Sequence, residues 1–195
     1  MRTYLVLLAA LVSACGGGSP TSPTGASERF VWTVNGESFT ASSNGRGARR
    51  GAGDGSGIEL VGFSCGQNAG LSIQTRGASA RTYVVGTTPQ PLFGDPTIVG
   101  PGAPDTDVWV TWTADARSGD AARASAWVAP GVPRLVNGVW VPIFGSGSVT
   151  ISGISADWVS GSFSFELVPD RDNMASGTRT LQGTFELSFR EKKIC

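Results

Sequence analysis

The sequence predicts an all-β domain, either an antiparallel β-sandwich or a flattened β-barrel, with about ten short strands. Short runs of alternating apolar and polar residues recur along the chain, and turns rich in Gly, Asn, Asp and Pro separate them. After residue 15, no apolar repeat of helical period extends over ten residues. Because a parallel sheet needs crossover helices, this pattern excludes a parallel α/β fold.

The first residues have the pattern of a secretory signal that ends in a lipidation site. Arg2 precedes a short apolar run, residues 5–12, which is followed by Ser13-Ala14-Cys15. Small residues before a Cys resemble the bacterial lipoprotein signal, which implies diacylglycerol on the Cys15 sulfur, cleavage before this residue and acylation of the new amino end. We therefore expect residues 1–14 to be a signal peptide. The alternatives are a plain secretory signal or an apolar segment of the fold.

A flexible linker and one folded domain are expected after the signal. The lipidated Cys and a linker rich in Gly, Ser, Pro and Thr make up residues 15–27, of which residues 16–25 offer no apolar side chain to a core. They would hold the domain on the order of 20 Å from the membrane surface. Residues 28–195 suffice for a single domain with one core. Multiple acyl chains anchor stably, so we expect an envelope protein on the outer face of the cytoplasmic membrane or on the outer membrane.

The composition excludes several functional classes. Lys and Arg number 15, as do Asp and Glu, so the chain has no net charge. Only Arg46, Arg49 and Arg50 cluster, in a Gly-rich stretch (42–57) that predicts a solvated loop with at most a frayed strand, so we expect no nucleic-acid partner. The sequence has no His, which excludes a Ser-His-Asp or Cys-His catalytic site and a His-ligated metal. No cofactor is expected.

Strand positions follow from the alternation and the turns. Asn35-Gly36 is a pair favoured in two-residue hairpin turns, and it separates the first two strands. A second hairpin is predicted around residues 66–70. The segment 86–104 is rich in Pro, which cannot donate to a ladder, so it predicts an irregular excursion. The predicted strands are 29–34, 37–41, 58–65, 71–75, 82–85, 108–113, 124–128, 140–143, 147–152, 158–167 and 178–189.

Both ends of the domain resemble a family of uncharacterised bacterial lipoproteins. The hairpin of residues 30–41 is similar to a phrase F-x-A-T-V-N-G-x-x-F-x-A that members carry soon after the lipidated Cys, with Trp32 where the family has a small residue. Residues 161–165 and 183–187 resemble the closing G-x-F-x-F/L strands of the family. No activity is assigned to this family, so the resemblance implies an envelope lipoprotein and no particular reaction.

Paired carboxylates are the remaining candidates for catalysis without His. The pairs are Asp105 with Asp107, Asp115 with Asp120, and Asp170 with Asp172. Such pairs could hydrolyse a glycosidic bond, but Asp in loops flanked by Gly and Pro typically caps turns. Asp170, Asp172 and Asn173 offer oxygen ligands for Ca²⁺, yet the Gly and the distant Glu of a helix-loop-helix site are missing. We therefore predict no catalytic residue and no bound metal.

Six Trp residues are the one feature of the composition that suggests a ligand. Exposed Trp rings on a sheet stack against sugars or partner proteins. Trp32, Trp109 and Trp127 lie within apolar strands and are predicted to be core residues. Trp140 and Trp158 adjoin turns, and they are the candidate ligand-stacking residues for an envelope glycan or protein.

Cys65 and Cys195 are the two cysteines that remain after lipidation of Cys15. In an exported protein we expect them to form a disulfide, which would hold a polar C-terminal tail. The alternatives are two free thiols, or a bond from Cys195 to a partner.

The function that these features favour is a membrane-anchored, non-enzymatic binding or structural β-domain. A carbohydrate-binding module is one alternative, and a His-free carboxylate hydrolase acting on a polysaccharide is another. The hydrolase needs two carboxyl groups converging in a cleft, whereas the sugar binder needs two coplanar exposed Trp rings on one face.

Overall fold

The computed structural model describes residues 27–52, 55–86, 89–92, 95–101, 106–114, 125–131, 134–136, 139–141, 144–170 and 177–189. Within these ranges the chain is all-β, as predicted, and contains no helix, hence none that could cross a membrane. Fifteen strands are present, where the sequence predicts about ten. They are β1 (Arg29–Val34), β2 (Glu37–Thr40), β3 (Arg46–Ala52), β4 (Gly57–Ser64), β5 (Ala69–Thr75), β6 (Thr82–Val84), β7 (Pro89–Leu92), β8 (Asp95–Pro101), β9 (Val108–Ala114), β10 (Ser125–Ala129), β11 (Arg134–Val136), β12 (Val139–Val141), β13 (Ser146–Ile154), β14 (Trp158–Pro169) and β15 (Arg179–Ser188).

Eleven strands form one antiparallel sheet that curls into a half-barrel. The order is β2-β1-β15-β14-β10-β9-β5-β4-β3, and β13 pairs with β14 and with β6. Strand β14 belongs to both parts of the sheet. It pairs with β13 along most of its length, and its last residues, Val168 and Pro169, pair with β10. We call β6, β13, β14, β15, β1 and β2 the front layer, and β10, β9, β5, β4 and β3 the back layer.

The core lies between the two layers and is rich in aromatic rings. Trp32 stacks on Phe39 with ring centroids 5.6 Å apart, and Phe39 meets Trp112 of the back layer edge-on at 6.1 Å. Gly62 on β4 faces the front layer so closely that a methyl group there would lie 2.7 Å from the ring of Phe30. Burial of each large apolar side chain contributes about 1.5–3 kcal/mol, so this cluster is a main source of stability.

The first hairpin forms where the sequence predicts it. Val34 pairs with Glu37 across a two-residue turn, and both turn residues have positive φ, 49° at Asn35 and 88° at Gly36. The turn is also tied to β15, because the amide of Asn35 donates to the carbonyl of Thr180 and Asn35 Oδ1 accepts from the Thr180 amide, both at 2.9 Å.

The prediction of a loop over residues 42–57 is wrong, because residues 46–52 form β3. This strand pairs with β4 and contains a bulge at Gly51, which has a φ of 88°. Its buried residues, Gly47, Ala48 and Ala52, are small, so a pattern of large apolar residues does not reveal the strand. The Arg residues of this stretch are therefore strand residues, with Arg49 and Arg50 exposed.

A seam joins β3 to the end of β15 and narrows the opening of the half-barrel. Ala48 and Phe189 form a parallel bridge, and the guanidinium of Arg50 lies 4.3 Å from the centroid of the Phe189 ring. Arg50 also donates to the carbonyl of Ser155 in the turn between β13 and β14, at 2.6 Å.

At the same seam, Glu28 connects the start of β1 to the end of β15. Its carboxylate accepts hydrogen bonds from the amide and the hydroxyl of Ser188, the former at 3.1 Å. The same carboxylate lies 3.8 Å from Nε of Arg46 on β3. Three strands that are distant in sequence therefore meet around one side chain.

The prediction that residues 86–104 form an irregular segment is also wrong, because this segment contains two paired strands. Strands β7 and β8 pair as a separate two-stranded sheet. In a two-stranded sheet, one edge of each strand is unpaired. A Pro whose nitrogen lies on that edge removes no hydrogen bond from the ladder. A second small hairpin, β11 with β12, includes part of the predicted strand 140–143.

Candidate binding face

Uncharged polar side chains occupy the middle of the outward side of the front layer, with Arg29 and Glu186 in the row on one side and Glu166 in the row on the other. Cross-strand pairing aligns the residues of this middle part in two rows that each cross six strands. One row is Thr40, Val31, Thr184, Ser162, Thr150 and Thr82, and the other is Ser38, Thr33, Gln182, Ser164, Ser148 and Val84. Ten of these twelve residues carry a hydroxyl or an amide, and none is charged. We call this surface the hydroxyl face.

This face arises because successive side chains of a strand point to opposite sides of the sheet. In Phe163-Ser164-Phe165, for example, both rings are buried and Ser164 between them is exposed. The same alternation puts Leu181 and Phe185 in the core while Gln182 and Thr184 are exposed. Neighbouring positions in a row are about 4.5–5.5 Å apart, so the polar groups form a continuous array.

A shallow, open groove of about 550 Å³ lies in the hydroxyl face. Its polar lining comes from β1, β2, β14 and β15, namely Thr33, Ser38, Thr40, Ser164, Gln182 and Thr184. Val31 is the apolar outward residue in the groove. Arg29 lies two residues before Val31 on β1, at one end of the groove, with Glu186 opposite it on β15.

The polar side chains of the groove are available to a ligand. Within the part of the chain that the structure describes, the side chains of Thr33, Thr40, Ser164, Gln182 and Thr184 make no hydrogen bond. By contrast, further along the same face, the hydroxyls of Thr82 and Thr150 are hydrogen bonded to each other at 2.9 Å. The groove thus offers several unused donors and acceptors at positions set by the strand pairing.

The back layer has a different outward surface. Its outward row contains Arg49, Glu59, Gln74 and Trp109. The Glu59 carboxylate accepts hydrogen bonds from Arg49 and Gln74, so the polar groups of this row bind one another. This surface is therefore less available for a ligand than the hydroxyl face.

The predicted core positions of the Trp residues are confirmed for two of three. Trp32 and Trp127 are each 2% exposed. The prediction for Trp109 is wrong, because its neighbours Val108 and Val110 point into the core while Trp109 is half-buried on the outward side. There the guanidinium of Arg76 lies 5.5 Å from the Trp109 ring centroid. Because apolar residues occur on both faces of β9, the sequence pattern does not show which face is buried.

The two candidate ligand-stacking residues are not brought together within the described residues. Trp158 is half-buried at the start of β14, where a methyl group on Gly153 would lie 2.8 Å from the edge of its ring. Its indole Nε1 is buried and has no hydrogen-bond partner there. Only the backbone of Trp140, on β12, is described.

The candidate carboxylates are only partly within the described residues. Asp105, Asp115, Asp120, Asp172 and Asn173 lie outside them. Asp107 forms an ion pair with Arg81 at 3.4 Å, which is a structural use of its charge. The amide of Asp170 donates to the carbonyl of Ala126 and extends the contact between β14 and β10. No group of three or more Cys, Asp or Glu that could hold a metal occurs in the described ranges.

Of the three cysteines, only Cys65 is described, since Cys15 and Cys195 lie outside the described residues. Cys65 follows β4 in the turn before β5, is half-buried, and donates its amide hydrogen to Ser42 Oγ at 3.2 Å. The pairing of Cys65 with Cys195 remains a prediction.

The hydroxyl face itself is absent from the sequence predictions. The alternation of Ser and Thr with apolar residues was visible, but the alignment of these residues in rows depends on strand pairing. In comparisons with family models, curated proteins and solved structures, no significant match to this chain is found.

Proposed function

We propose that this protein is a membrane-anchored envelope lipoprotein, that its β-domain is a non-enzymatic binding module, and that the hydroxyl face is the binding surface. The observation that carries the proposal is the groove of about 550 Å³, in which the side chains of Thr33, Thr40, Ser164, Gln182 and Thr184 make no hydrogen bond to any described residue. Concave surfaces with a few fixed polar groups are where proteins bind ligands.

The anchoring part of the proposal rests on the N-terminal sequence. The Ser13-Ala14-Cys15 stretch after an apolar run, and the resemblance to uncharacterised bacterial lipoproteins, support lipidation at Cys15. A disulfide between Cys65 and Cys195 belongs to the same proposal, because exported proteins fold where disulfides persist.

Cys15→Ser is expected to release the protein from membranes and to abolish incorporation of a palmitate analogue, because the lipid has no other attachment point. Membrane fractionation and metabolic labelling in a bacterial host would measure both effects. Ser22→Ala, in the linker, is the control and should be labelled like the native chain. Labelling of the Cys15→Ser variant would refute the anchor.

The binding part is tested by blocking the groove. Ser164→Trp places a large ring in the groove, whereas Thr111→Trp places the same ring on an exposed position of β9 in the back layer. Both positions are exposed strand residues, and Trp is favoured in strands, so both variants should fold. We expect Ser164→Trp alone to lose binding.

The measurement uses the immobilised full chain and a detergent-solubilised envelope extract. Retained material is quantified separately as neutral sugar and as protein. The expected result is retention that falls about tenfold or more in Ser164→Trp and is unchanged in Thr111→Trp. Equal retention by the native chain and both variants would show that the hydroxyl face is not the binding surface.

A further inference from the structure

We propose that the groove of the hydroxyl face binds a neutral polysaccharide chain. This inference rests on the proposed function, and it adds the chemical class of the ligand. It follows from the charge of the face, from the kind of hydrogen-bonding groups on it, and from its length.

The charge of the hydroxyl face disfavours the other common partners. Nucleic acids and anionic lipid surfaces are bound through clusters of Lys and Arg. Among the described residues that line the groove, Arg29 is the one cation, and Glu186 lies opposite it. Protein interfaces are enriched at their centres in aromatic side chains, Met and Arg, and the two outward rows contain none of these. An uncharged hydrophilic ligand therefore fits this surface best.

The hydrogen-bonding groups of the groove match a polyhydroxylated ligand. A Ser or Thr hydroxyl both donates and accepts, and the Gln182 amide has a donor and an acceptor end. Sugar hydroxyls have the same dual character, so they can bond to every polar group in the groove whichever way each one is rotated. The two outward rows contain no Trp, so the pair of coplanar Trp rings that a sugar binder is expected to have does not occur in them. Binding here would rest on hydrogen bonds, with Val31, between Thr40 and Thr184 in its row, as an apolar contact for the C–H groups of a sugar ring.

The length of the face favours a chain over a single sugar. Beyond the groove, the rows continue through Ser162, Ser148 and Thr150 to β6. At about 4.8 Å between strands, six strands extend for roughly 24 Å. Each hydrogen bond to a solvated hydroxyl adds little net affinity, so a ligand that contacts many of them is favoured. Several copies anchored in one membrane would bind a repeating chain together with greater avidity.

The test is co-sedimentation of the full chain with insoluble polysaccharides. The protein is kept in a polyoxyethylene detergent, which carries no sugar head group. Cellulose, chitin, mannan and cross-linked dextran are the neutral probes, and calcium alginate is the anionic comparison. The native chain is compared with Ser164→Trp and Thr111→Trp.

We expect the native chain to sediment with at least one neutral probe at both low and high salt, because no ion pair is involved. Ser164→Trp should weaken that binding by about tenfold or more, and Thr111→Trp should not change it. A soluble oligosaccharide of the same polymer should compete.

Three results would overturn the inference: no sedimentation of the native chain with any neutral probe, equal sedimentation of both variants, or binding to alginate alone that salt abolishes. If Ser164→Trp still loses retention from the envelope extract while no neutral probe binds, the ligand class is wrong and the binding face stands. If Ser164→Trp keeps both its retention of envelope material and its sedimentation with the neutral probes, then the hydroxyl face is not the binding surface and it does not bind a polysaccharide.

Discussion

Gly183→Ala is expected to lower the free energy of unfolding by about 3 kcal/mol, at the upper end for overpacking of a core. Gly183 lies on β15 between Trp32 of β1 and Phe163 of β14. A methyl group there would lie 2.3 Å from the carbonyl oxygen of Val31 and 2.5 Å from the ring of Phe163. Because the oxygen belongs to the backbone, the contact is relieved only if β1 and β15 move apart.

Thermal unfolding of the full chain measures this effect. In a domain of this size, a loss of 3 kcal/mol lowers the midpoint by about 6–12 °C. Gly66→Ala is the matched control, since a methyl group at Gly66 would have nothing within 4 Å. It should change the stability by less than about 0.5 kcal/mol. Equal midpoints for the two variants would contradict the packing described for the front layer.

Loss of the proposed disulfide between Cys65 and Cys195 is expected to have the second large effect on stability. The bridge would close a loop of roughly 130 residues, for which the chain-entropy model gives about 5 kcal/mol. Cys65 follows β4 in the back layer, while Cys195 lies seven residues after the end of β15 in the front layer. The bridge would therefore tie the two layers together.

The bridge is tested by comparing the stability of the two single Cys variants with that of the double variant. Cys65→Ala and Cys195→Ala should each lower the stability by a similar amount, and the double variant should lose little more, because either change removes the same bond. Non-reducing digestion of the native protein should give one peptide containing both residues. Two thiols that alkylate in denaturant without reductant would exclude the pairing.

Where large side chains alternate, the sequence predicted the strands well. The first hairpin was predicted because Asn35-Gly36 accepts positive φ at both positions, and its flanks alternate clearly. Strands β14 and β15 were predicted for the same reason, with Phe163, Phe165 and Phe185 all buried. Local patterns and turn chemistry are readable in one sequence because they depend on neighbouring residues.

Elements that depend on distant parts of the chain were missed. The small buried residues of β3 show no apolar period, and this strand forms because β4 lies beside it. Pro-rich β7 and β8 pair only with each other, so the usual objection to Pro in a sheet does not apply. The hydroxyl face required the register of six strands, which no local pattern specifies.

The pairing of β1 with β15 affects how fast the domain folds. Arg29 of β1 lies opposite Glu186 of β15, so the register closes contacts between residues more than 150 positions apart. Contacts of such separation slow folding, because a long loop must close before they form. During synthesis β1 has no partner beyond β2 until nearly the whole chain has emerged. In the export proposed above, the sheet would therefore close only after nearly the whole chain has crossed the membrane.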